Sequence, residues 1–305
     1  MKILVFTEKP FAAKAVKAIA NVVDAAGQDL RVVERGTRED LLKEVADAEG
    51  LIVRSDKIDA EVMEHAPKLK VIVRAGAGYD NIDLAAATQR GICVMNTPGQ
   101  NSNAVAELVF GMVVMMCRNR YNGTSGSELK DKTLGIYAFG QVGRNVARIA
   151  KGFGMKVSAL DLFVADAVME AEGVRPVHTP QELFAENRYV SLHIPATLQT
   201  RKSIGYDLVM RLPENGVLIN TARKEVIDEE GLFRALKERE DLRYISDIKP
   251  DNAAEMEKEF AERVFFTPKK MGAQTGEANF NAGVAAAEQV IAYLKDGWNK
   301  YQVNK

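Results

Sequence analysis

Cysteine and histidine are both scarce in this chain of 305 residues. The two cysteines, Cys93 and Cys117, lie in apolar segments, and the three histidines are scattered without the spacing of metal ligands. Two such cysteines cannot supply a disulfide framework or a cysteine-based metal site. The sequence therefore excludes a disulfide-stabilised scaffold, and it predicts no bound metal.

An excess of charge of one sign and long apolar runs are also missing. The 41 Lys and Arg residues balance 42 Asp and Glu, for a net charge of −1, so the chain lacks the basic field of a nucleic-acid-binding protein. Residues 104–117 form the longest strongly apolar stretch, which Glu107 interrupts before it approaches the ~20 residues of a membrane span. Residues 3–6 are too short for the core of a signal peptide. We expect a cytoplasmic protein with no nucleic-acid partner and no membrane contact.

What is present is an ordinary globular composition with alternating strand-like and helix-like segments. Hydrophobic residues make up 47% and charged residues 27%, and the length suggests two domains of roughly 100–200 residues each. The alternation predicts an α/β protein with parallel sheets covered by helices on both faces. The predicted strands are residues 3–6, 51–53, 71–74, 92–95, 133–138, 156–160, 189–194, 217–220, 244–248 and 264–266, with helices near 59–66, 103–118 and 277–295 and a connector at 119–131.

A glycine-rich turn follows one of these strands and precedes a predicted helix. Gly140 and Gly143 occupy the second and third glycine positions of the dinucleotide-binding fingerprint, and Ala138 replaces the first glycine. Gln141 and Val142 lie between them, at the start of the helix. Glycines here let backbone N–H groups approach a pyrophosphate at the helix N-terminus. The alternative is that these glycines serve only close packing of a strand on a helix.

An acidic residue ends the next predicted strand. Asp161 stands about 20 residues beyond the glycine turn, where a carboxylate accepts hydrogen bonds from the ribose hydroxyls of a dinucleotide. Leu162 and Phe163 follow it, so no cation is present there to bind a 2′-phosphate. The sequence therefore predicts NAD, and not NADP, as the cofactor.

Several longer motifs are more specific than the glycine turn. Residues 192–195 read Leu-His-Ile-Pro, and residues 218–223 read Leu-Ile-Asn-Thr-Ala-Arg. With residues 226–230, they resemble the D-isomer-specific 2-hydroxyacid dehydrogenases. Residues 52–55, 73–83 and 94–98 are similar to the phosphoglycerate dehydrogenase branch of that family, so the resemblance covers nearly the whole chain.

The resemblance implies a fold and a domain arrangement. We expect two doubly wound parallel-sheet domains, with a Rossmann dinucleotide domain inserted into a flavodoxin-like substrate domain. The NAD-binding domain would span residues 99–278, and the substrate-binding domain would combine residues 1–98 and 279–305. The family commonly dimerises through its dinucleotide domain, so a homodimer is expected.

The resemblance also assigns site residues. Arg223 matches the arginine that holds the substrate carboxylate and C2 oxygen, which suits a planar guanidinium. Asp247 matches the residue that binds the nicotinamide carboxamide, with a helix cap as the alternative. His193 is expected to have a positioning or structural role and not to act as a base. The cofactor-binding residues implied by the match are Ala138, Gly140, Gln141, Val142, Gly143, Asp161, His193, Pro195, Thr221, Ala222 and Asp247.

The chain departs from the family at the proton relay, which is a Glu–His pair in most relatives. Residues 267–275 contain no histidine but have two lysines. Counting back from Gly272 places Lys270 at the histidine position, whereas counting forward from Pro268 places Lys269 there. Both remain candidates for the catalytic acid/base.

The relay glutamate is missing too, with Asp251 or Asn252 near its place. The two changes are chemically consistent because a glutamate serves to hold and charge a histidine, with an ordinary pKa of ~6.5, whereas lysine, at ~10.4, is cationic without help. The resemblance is thus to a short subtype with lysine in place of histidine and without a regulatory domain. A degenerate site with two surface lysines is the alternative.

Two arginines are candidates for a phosphate site. Arg54 and Arg74 each follow a predicted strand, and strand carboxyl ends are where open α/β sheets bind ligands. Paired guanidinium groups suit a phosphate, although two unrelated surface arginines would give the same pattern. The full set of expected substrate-binding residues is Arg54, Ser55, Arg74, Ala75, Gly76 and Asn101, with Ala75 and Gly76 contributing backbone groups.

These residues lead to an expected reaction, the NAD-dependent oxidation of D-3-phosphoglycerate to 3-phosphohydroxypyruvate, which opens serine biosynthesis. The alternatives are a glyoxylate or hydroxypyruvate reductase of the same family and a non-catalytic NAD-sensing scaffold like a corepressor. The connector at residues 119–131 is shorter than in longer relatives, where it supplies a cation to the neighbouring subunit. Arg118 or Arg120 would have to substitute for that cation.

Overall fold

The computed structural model describes residues 1–304 and divides the chain into two α/β units. One unit combines Met1–Asn101 with the chain from Gln274 onwards, and the other is the continuous segment Ser102–Ala273. The sequence had placed the two boundaries at 98/99 and 278/279. The first unit is discontinuous because the last helix returns to it.

The discontinuous unit is built on a five-stranded parallel sheet in the order β2-β1-β3-β4-β5. This is the flavodoxin-like order, which reverses direction between β1 and β3. Its helices include a C-terminal helix, Gly276–Asp296, which starts at the N-cap Thr275 and ends before Gly297 in the left-handed conformation. The other elements are β1 (Lys2–Thr7), β2 (Asp29–Glu34), β3 (Gly50–Val53), β4 (Val71–Arg74), β5 (Cys93–Asn96), α1 (Ala13–Ala25), α2 (Arg38–Glu44), α3 (Ala60–Glu64) and α4 (Leu84–Gln89).

Apolar residues on both faces of this sheet explain the two cores of the unit. Along β1, Leu4 and Phe6 join one buried cluster while Ile3 and Val5 join the other, as expected when successive side chains point to opposite faces. Strands buried on both faces read as continuous apolar runs, and β3 is buried throughout. The sequence pattern found such strands for this reason.

The continuous unit has a seven-stranded parallel sheet in the order β12-β11-β10-β9-β6-β7-β8. The order reverses between β6 and β9, where doubly wound sheets bind dinucleotides at the strand carboxyl ends. The two parallel-sheet domains confirm the predicted fold class. The elements are β6 (Thr133–Tyr137), β7 (Lys156–Leu160), β8 (Arg175–Pro176), β9 (Tyr189–Leu192), β10 (Val217–Asn220), β11 (Arg243–Ser246), β12 (Val264–Phe266), α5 (Ser102–Cys117), α6 (Gln141–Gly152), α7 (Asp166–Ala171), α8 (Pro180–Glu186), α9 (Tyr206–Val209), α10 (Glu229–Glu238) and α11 (Ala253–Glu259).

Two strands escaped the sequence analysis. Strand β2 lies at the sheet edge and alternates exposed and half-buried residues, so it has no continuous apolar run. Strand β8 has only two residues. Within residues 1–304 we find no helix whose length and apolar content would let it cross a membrane.

Candidate active site

The glycine turn connects β6 to α6, as predicted. A side chain at Gly143 would bring its Cβ within 2.3 Å of the carbonyl oxygen of Ala138, so only glycine permits this approach of helix to strand. At Gly140 nothing lies within 4 Å of the same position, and the loop is open there. One glycine therefore serves packing, while the other leaves room for a ligand at the helix N-terminus.

Ala138 adopts a conformation that favours glycine. Its φ is +80°, and its backbone N–H donates to the carbonyl oxygen of Leu160 at 2.8 Å. A left-handed conformation costs a residue with a Cβ roughly 1–2 kcal/mol. The fingerprint geometry of the turn is thus kept although its first glycine is replaced.

Asp161 lies at the carboxyl end of β7 and is oriented by two backbone groups. Its Oδ2 accepts from Phe139 N at 2.7 Å, and its Oδ1 accepts from Phe163 N at 2.8 Å. Each carboxylate oxygen has a further lone pair for a ribose hydroxyl. The side chain of Phe163 is 96% exposed and that of Leu162 is 81% exposed, so two apolar groups border the carboxylate on the open side.

His193 follows β9 and is held on both ring nitrogens. Its Nε2 is 2.9 Å from Ser191 Oγ, and its Nδ1 is 3.3 Å from Thr221 Oγ1. Burial lowers the pKa of the imidazole to about 3, so the ring is neutral at physiological pH. This geometry agrees with the expected positioning or structural role. Nearby, the carbonyl oxygen of Pro195 accepts from Thr200 Oγ1 at 2.5 Å, which fixes the start of the following turn.

Arg223 and Lys270 meet at one carbonyl oxygen. Arg223 Nη1 donates to Ala222 O at 2.9 Å, and Lys270 Nζ donates to the same oxygen at 3.3 Å. Asn220 Oδ1 in turn accepts from Ala222 N at 2.9 Å, which fixes the turn after β10. The structure thus places the candidate substrate-binding arginine beside one of the two candidate lysines. Lys269, the other candidate, is exposed, as is Lys270.

Asp247 has a structural contact that the sequence did not predict. It is completely buried, and its carboxylate accepts from Thr267 Oγ1 at 3.0 Å, from Met271 N at 2.6 Å and from Gly272 N at 2.8 Å. A Cβ at Gly272 would come within 2.9 Å of Asp247 Oδ2. Asp247 therefore anchors the turn that carries both lysines and caps no helix. A contact with nicotinamide stays a prediction.

The two residues near the place of the missing glutamate face other groups. Asp251 Oδ1 pairs with Lys224 Nζ at 2.6 Å. The backbone N–H groups of Asp251 and Asn252 donate to the carboxylate of Glu229. Asp251 thus has a cationic partner other than the two candidate lysines.

In the other unit, the structure brings Arg54 and Arg74 together. Arg74 Nε donates to the carbonyl oxygen of Arg54 at 2.9 Å. The Arg54 guanidinium donates to Lys9 O at 3.1 Å, to Pro10 O at 2.8 Å and to Asn279 Oδ1 at 2.5 Å. Burial lowers the pKa of Arg54, an effect that the nearby Asp56 partly offsets. Arg54 therefore connects the loop after β1 to the C-terminal helix, besides any role toward a ligand.

The remaining predicted substrate residues differ in what they offer. The N–H of Ala75 donates to Val53 O at 2.8 Å and that of Gly76 to Arg74 O at 2.9 Å, so both of these backbone donors are already used, contrary to expectation. The reason is that the chain turns sharply after β4, with φ of +148° at Gly76. Ser55 is exposed and Asn101 is half-buried.

The sequence analysis missed three polar residues near these sets. Thr267 binds the carboxylate of Asp247, and Asn279 binds Arg54. The hydroxyl of Thr97 is buried without a partner among the described residues. Thr97 and Thr267 each follow a strand and precede a proline. This repeated Thr-Pro pattern is the sequence feature that could have identified both threonines as candidates.

Comparisons with known proteins agree with these features. The family profile "D-isomer specific 2-hydroxyacid dehydrogenase, catalytic domain" matches residues 3–304. The D-3-phosphoglycerate dehydrogenase of Methanocaldococcus jannaschii is 37% identical over 274 residues, which is 85% of this chain and 52% of that protein. The chain thus spans about half the length of this relative.

Two further proteins match over nearly their full length. The glyoxylate reductase of Thermococcus litoralis is 32% identical over 100% of this chain and 98% of its own. A crystal structure of NAD+-bound 3-phosphoglycerate dehydrogenase from Entamoeba histolytica is 50% identical, with a TM-score of 0.90, and covers 100% of this chain and 99% of that one. The chain belongs to the family of D-isomer-specific 2-hydroxyacid dehydrogenases.

Proposed function

We propose that this chain oxidises D-3-phosphoglycerate to 3-phosphohydroxypyruvate with NAD, the reaction that opens serine biosynthesis. The observation that carries the proposal is the shared carbonyl oxygen of Ala222, which holds Arg223 and Lys270 side by side. A guanidinium for the carboxylate and an amine for the proton are what oxidation of a 2-hydroxy acid requires. The names of the relatives from M. jannaschii and E. histolytica support the substrate.

Arg223 and Lys270 have different tasks in this reaction. Oxidation removes the proton of the C2 hydroxyl and a hydride from C2, which leaves a C2 carbonyl. Arg223 binds the carboxylate and the C2 oxygen through its fork of N–H groups. Lys270 must be neutral to take the hydroxyl proton, and in the reverse direction it returns that proton from the charged state.

The continuous unit fits NAD. The open turn at Gly140, the close packing at Gly143 and the oriented carboxylate of Asp161 are the parts that hold a dinucleotide. When bound, NAD supplies the hydride acceptor. Because Leu162 and Phe163 carry no charge, nothing beside Asp161 favours a 2′-phosphate, so NADP should be used poorly.

A second candidate function is reduction of glyoxylate or hydroxypyruvate. The T. litoralis glyoxylate reductase aligns along the whole chain. In addition, Arg54 is already hydrogen-bonded to three acceptors, which favours a structural task for one of the two arginines expected to bind phosphate. If the chain were instead a corepressor-like scaffold, it would bind NAD without turning over a substrate. We propose a homodimer for each of these functions.

The test compares substrates and arginine variants. We expect kcat/KM for 3-phosphoglycerate with NAD to exceed kcat/KM for glyoxylate and hydroxypyruvate with NADH. Arg74→Gln should reduce kcat/KM for 3-phosphoglycerate by roughly ten- to a hundredfold and change that for D-glycerate little, because one charge-assisted hydrogen bond to the phosphate is lost.

Arg90→Gln is the control, since Arg90 pairs with Glu64 on the surface of the same unit. Equal losses on both substrates in Arg74→Gln would indicate a structural role for Arg74. A wild-type preference for glyoxylate would support the reductase, and no turnover of any 2-hydroxy or 2-keto acid would support the scaffold.

A further inference from the structure

A cavity of about 250 Å³ lies at the amino ends of three strands of the seven-stranded sheet. Arg188 precedes β9, Val217 begins β10, and Arg243 begins β11. The proposed cofactor and substrate residues of this unit follow the carboxyl ends of the strands. The cavity therefore lies at the amino ends of the strands, whereas the proposed active site lies at their carboxyl ends.

Two arginines line this cavity without carboxylate partners. Arg188 Nε donates to Asn215 O at 3.1 Å, and Arg243 Nη1 donates to Met116 O at 2.8 Å. Because these acceptors are neutral carbonyls, they orient each guanidinium without neutralising its charge. In residues 1–304 neither arginine forms an ion pair, and each retains N–H groups that no protein acceptor uses.

The rest of the lining is uncharged and mostly polar. Ser125 and Ser127 contribute hydroxyl groups, and Asn119 contributes an amide. No acidic side chain is among the residues that line the cavity. The carboxylate of Asp241, which accepts from the backbone N–H of a lining residue, is already paired with Arg239. The cavity therefore combines two positive charges with hydroxyl donors.

The loop after α5 also lines the cavity, and part of it is held in an unusual conformation. Asn119, which lines the cavity, and the next two residues, Arg120 and Tyr121, have φ values of +49°, +53° and +58°, which is rare for residues with side chains. Arg120 fixes this turn by donating to Ala261 O at 2.7 Å. At Gly126 a Cβ would lie 2.2 Å from Cys117 O, so the loop packs tightly on the end of α5. Such strain persists where the surroundings over-determine the conformation, and it is common at ligand sites.

We infer that this cavity binds a small oxyanion, with phosphate as the simplest member of the class. Two guanidinium groups match tetrahedral oxyanions through paired N–H···O bonds, and seryl hydroxyls provide further donors. The volume is below the roughly 300–1,000 Å³ of sites for drug-sized ligands, which argues against a nucleotide. The ligand would be a free inorganic anion or a small phosphorylated metabolite, bound independently of the substrate.

The direct test is a soak of crystals of the NAD-bound protein in sodium selenate, with the anion located by its anomalous signal. We expect a peak between Arg188 and Arg243. No peak there at concentrations that label other anion sites would overturn the inference.

The solution test measures thermal stability in inorganic phosphate with NAD saturating. Ligand binding to the folded state raises the melting temperature. The phosphate-dependent rise should shrink in Arg188→Gln and Arg243→Gln, with at least a tenfold weaker apparent Kd. Arg211→Gln is the matched control, because Arg211 is exposed on the same unit and does not line the cavity.

A third variant keeps the test decisive if the arginine variants fold poorly. Ser125→Asp places a carboxylate beside both arginines without removing their bonds to the carbonyl oxygens, so it should abolish the phosphate effect. Repeating the titration with glycerol 2-phosphate, which has no carboxylate for Arg223, distinguishes a phosphate ester from the free anion as the preferred ligand. An unchanged phosphate response in all three variants would refute the site.

Discussion

At the scale of single residues, Lys270 and Lys269 differ in where their amines lie. Only the Lys270 amine has a described contact beside Arg223, through Ala222 O. Lys270→Met should therefore lower kcat roughly 10²-fold or more, because proton transfer by a positioned side chain contributes about that factor. Binding of NAD, measured by calorimetry, should be retained.

Lys269→Met is the matched control and should keep near-wild-type kcat. Because oxidation needs the neutral amine, wild-type kcat should rise with pH, and Lys270→Met should lose this rise. If Lys269→Met abolishes activity instead, the assignment is reversed. If both single variants and the double variant remain active, the lysine mechanism is wrong.

His193 makes a separate prediction about acid stability. Its folded pKa of about 3 lies below the unfolded value of ~6.5, so the unfolded state binds the proton more readily. The stabilisation is complete above pH ~6.5 and is lost as pH falls toward 3. The loss is on the order of 4 kcal/mol in the free energy of unfolding.

His193→Asn should flatten the pH dependence of urea unfolding in that window. His178→Asn is the control, since His178 is exposed in the same unit. A variant at His193 with the wild-type slope would show that another group causes the acid sensitivity.

Several site residues were predictable because a local pattern fixes their position. A residue that directly follows a buried strand lies at the carboxyl end of the sheet, as Asp161 does after β7 and His193 after β9. Arg223 is three residues beyond β10, and its role was expected from the family resemblance alone. The choice between Lys269 and Lys270 depends on how a turn is wound, which residue counting does not determine.

At the scale of elements, the structure follows the sequence where strands are buried on both faces. The bounds of β4, β7 and β10 agree with the predicted ranges, because apolar runs mark central strands. The bounds of β12 agree too, although this short apolar strand lies at the edge of its sheet. The edge strand β2 gave no such signal. The contacts of Asp247 could not be predicted either, because its partners lie in a turn 20 to 25 residues later.

The hydrogen bonds between Asp247 and the turn at residues 267–272 give a prediction at the scale of elements. Asp247→Asn replaces one acceptor oxygen with an N–H donor that faces a backbone N–H. We expect the free energy of unfolding to fall by about 1–3 kcal/mol, and kcat to fall with little change in the KM for NAD. Steady-state kinetics and urea unfolding together measure both effects.

Thr267→Val is the comparison variant, since it removes only one of the three bonds to the carboxylate. It should show smaller losses of the same kind. A large rise in the KM for NAD with unchanged kcat in Asp247→Asn would favour the predicted contact with nicotinamide.

At the scale of the whole molecule, one unit is a continuous segment, whereas the other combines the two ends of the chain. Arg54 links the loop after β1 to Asn279, which is 225 residues away. Its guanidinium also lies 5.1 Å from the centre of the Phe11 ring. Arg54→Gln should therefore lower the free energy of unfolding by about 1.5–3 kcal/mol, as expected for lost hydrogen bonds of a charged group.

Hydrogen exchange should locate the effect of Arg54→Gln in the loop at residues 9–11 and in the first turn of the C-terminal helix. Arg90→Gln, whose ion pair is on the surface, should change stability by less than about 1 kcal/mol. Unchanged protection of both segments in Arg54→Gln would leave Arg54 with a ligand-binding role alone.

The return of the C-terminal helix has a consequence for how the protein is made. A Cβ at Gly50 in β3 would lie 2.5 Å from Val290 Cγ1, so this helix packs directly on the first sheet. During translation, β1 and β3 emerge early, yet their covering helix emerges only after the whole of Ser102–Ala273. At about 5–20 residues per second, the part of this apolar face that α1 does not cover waits roughly 10–40 s for its partner. The unit that is synthesised first is the last to complete its core, so part of its apolar surface stays exposed on the nascent chain until the C-terminal helix packs.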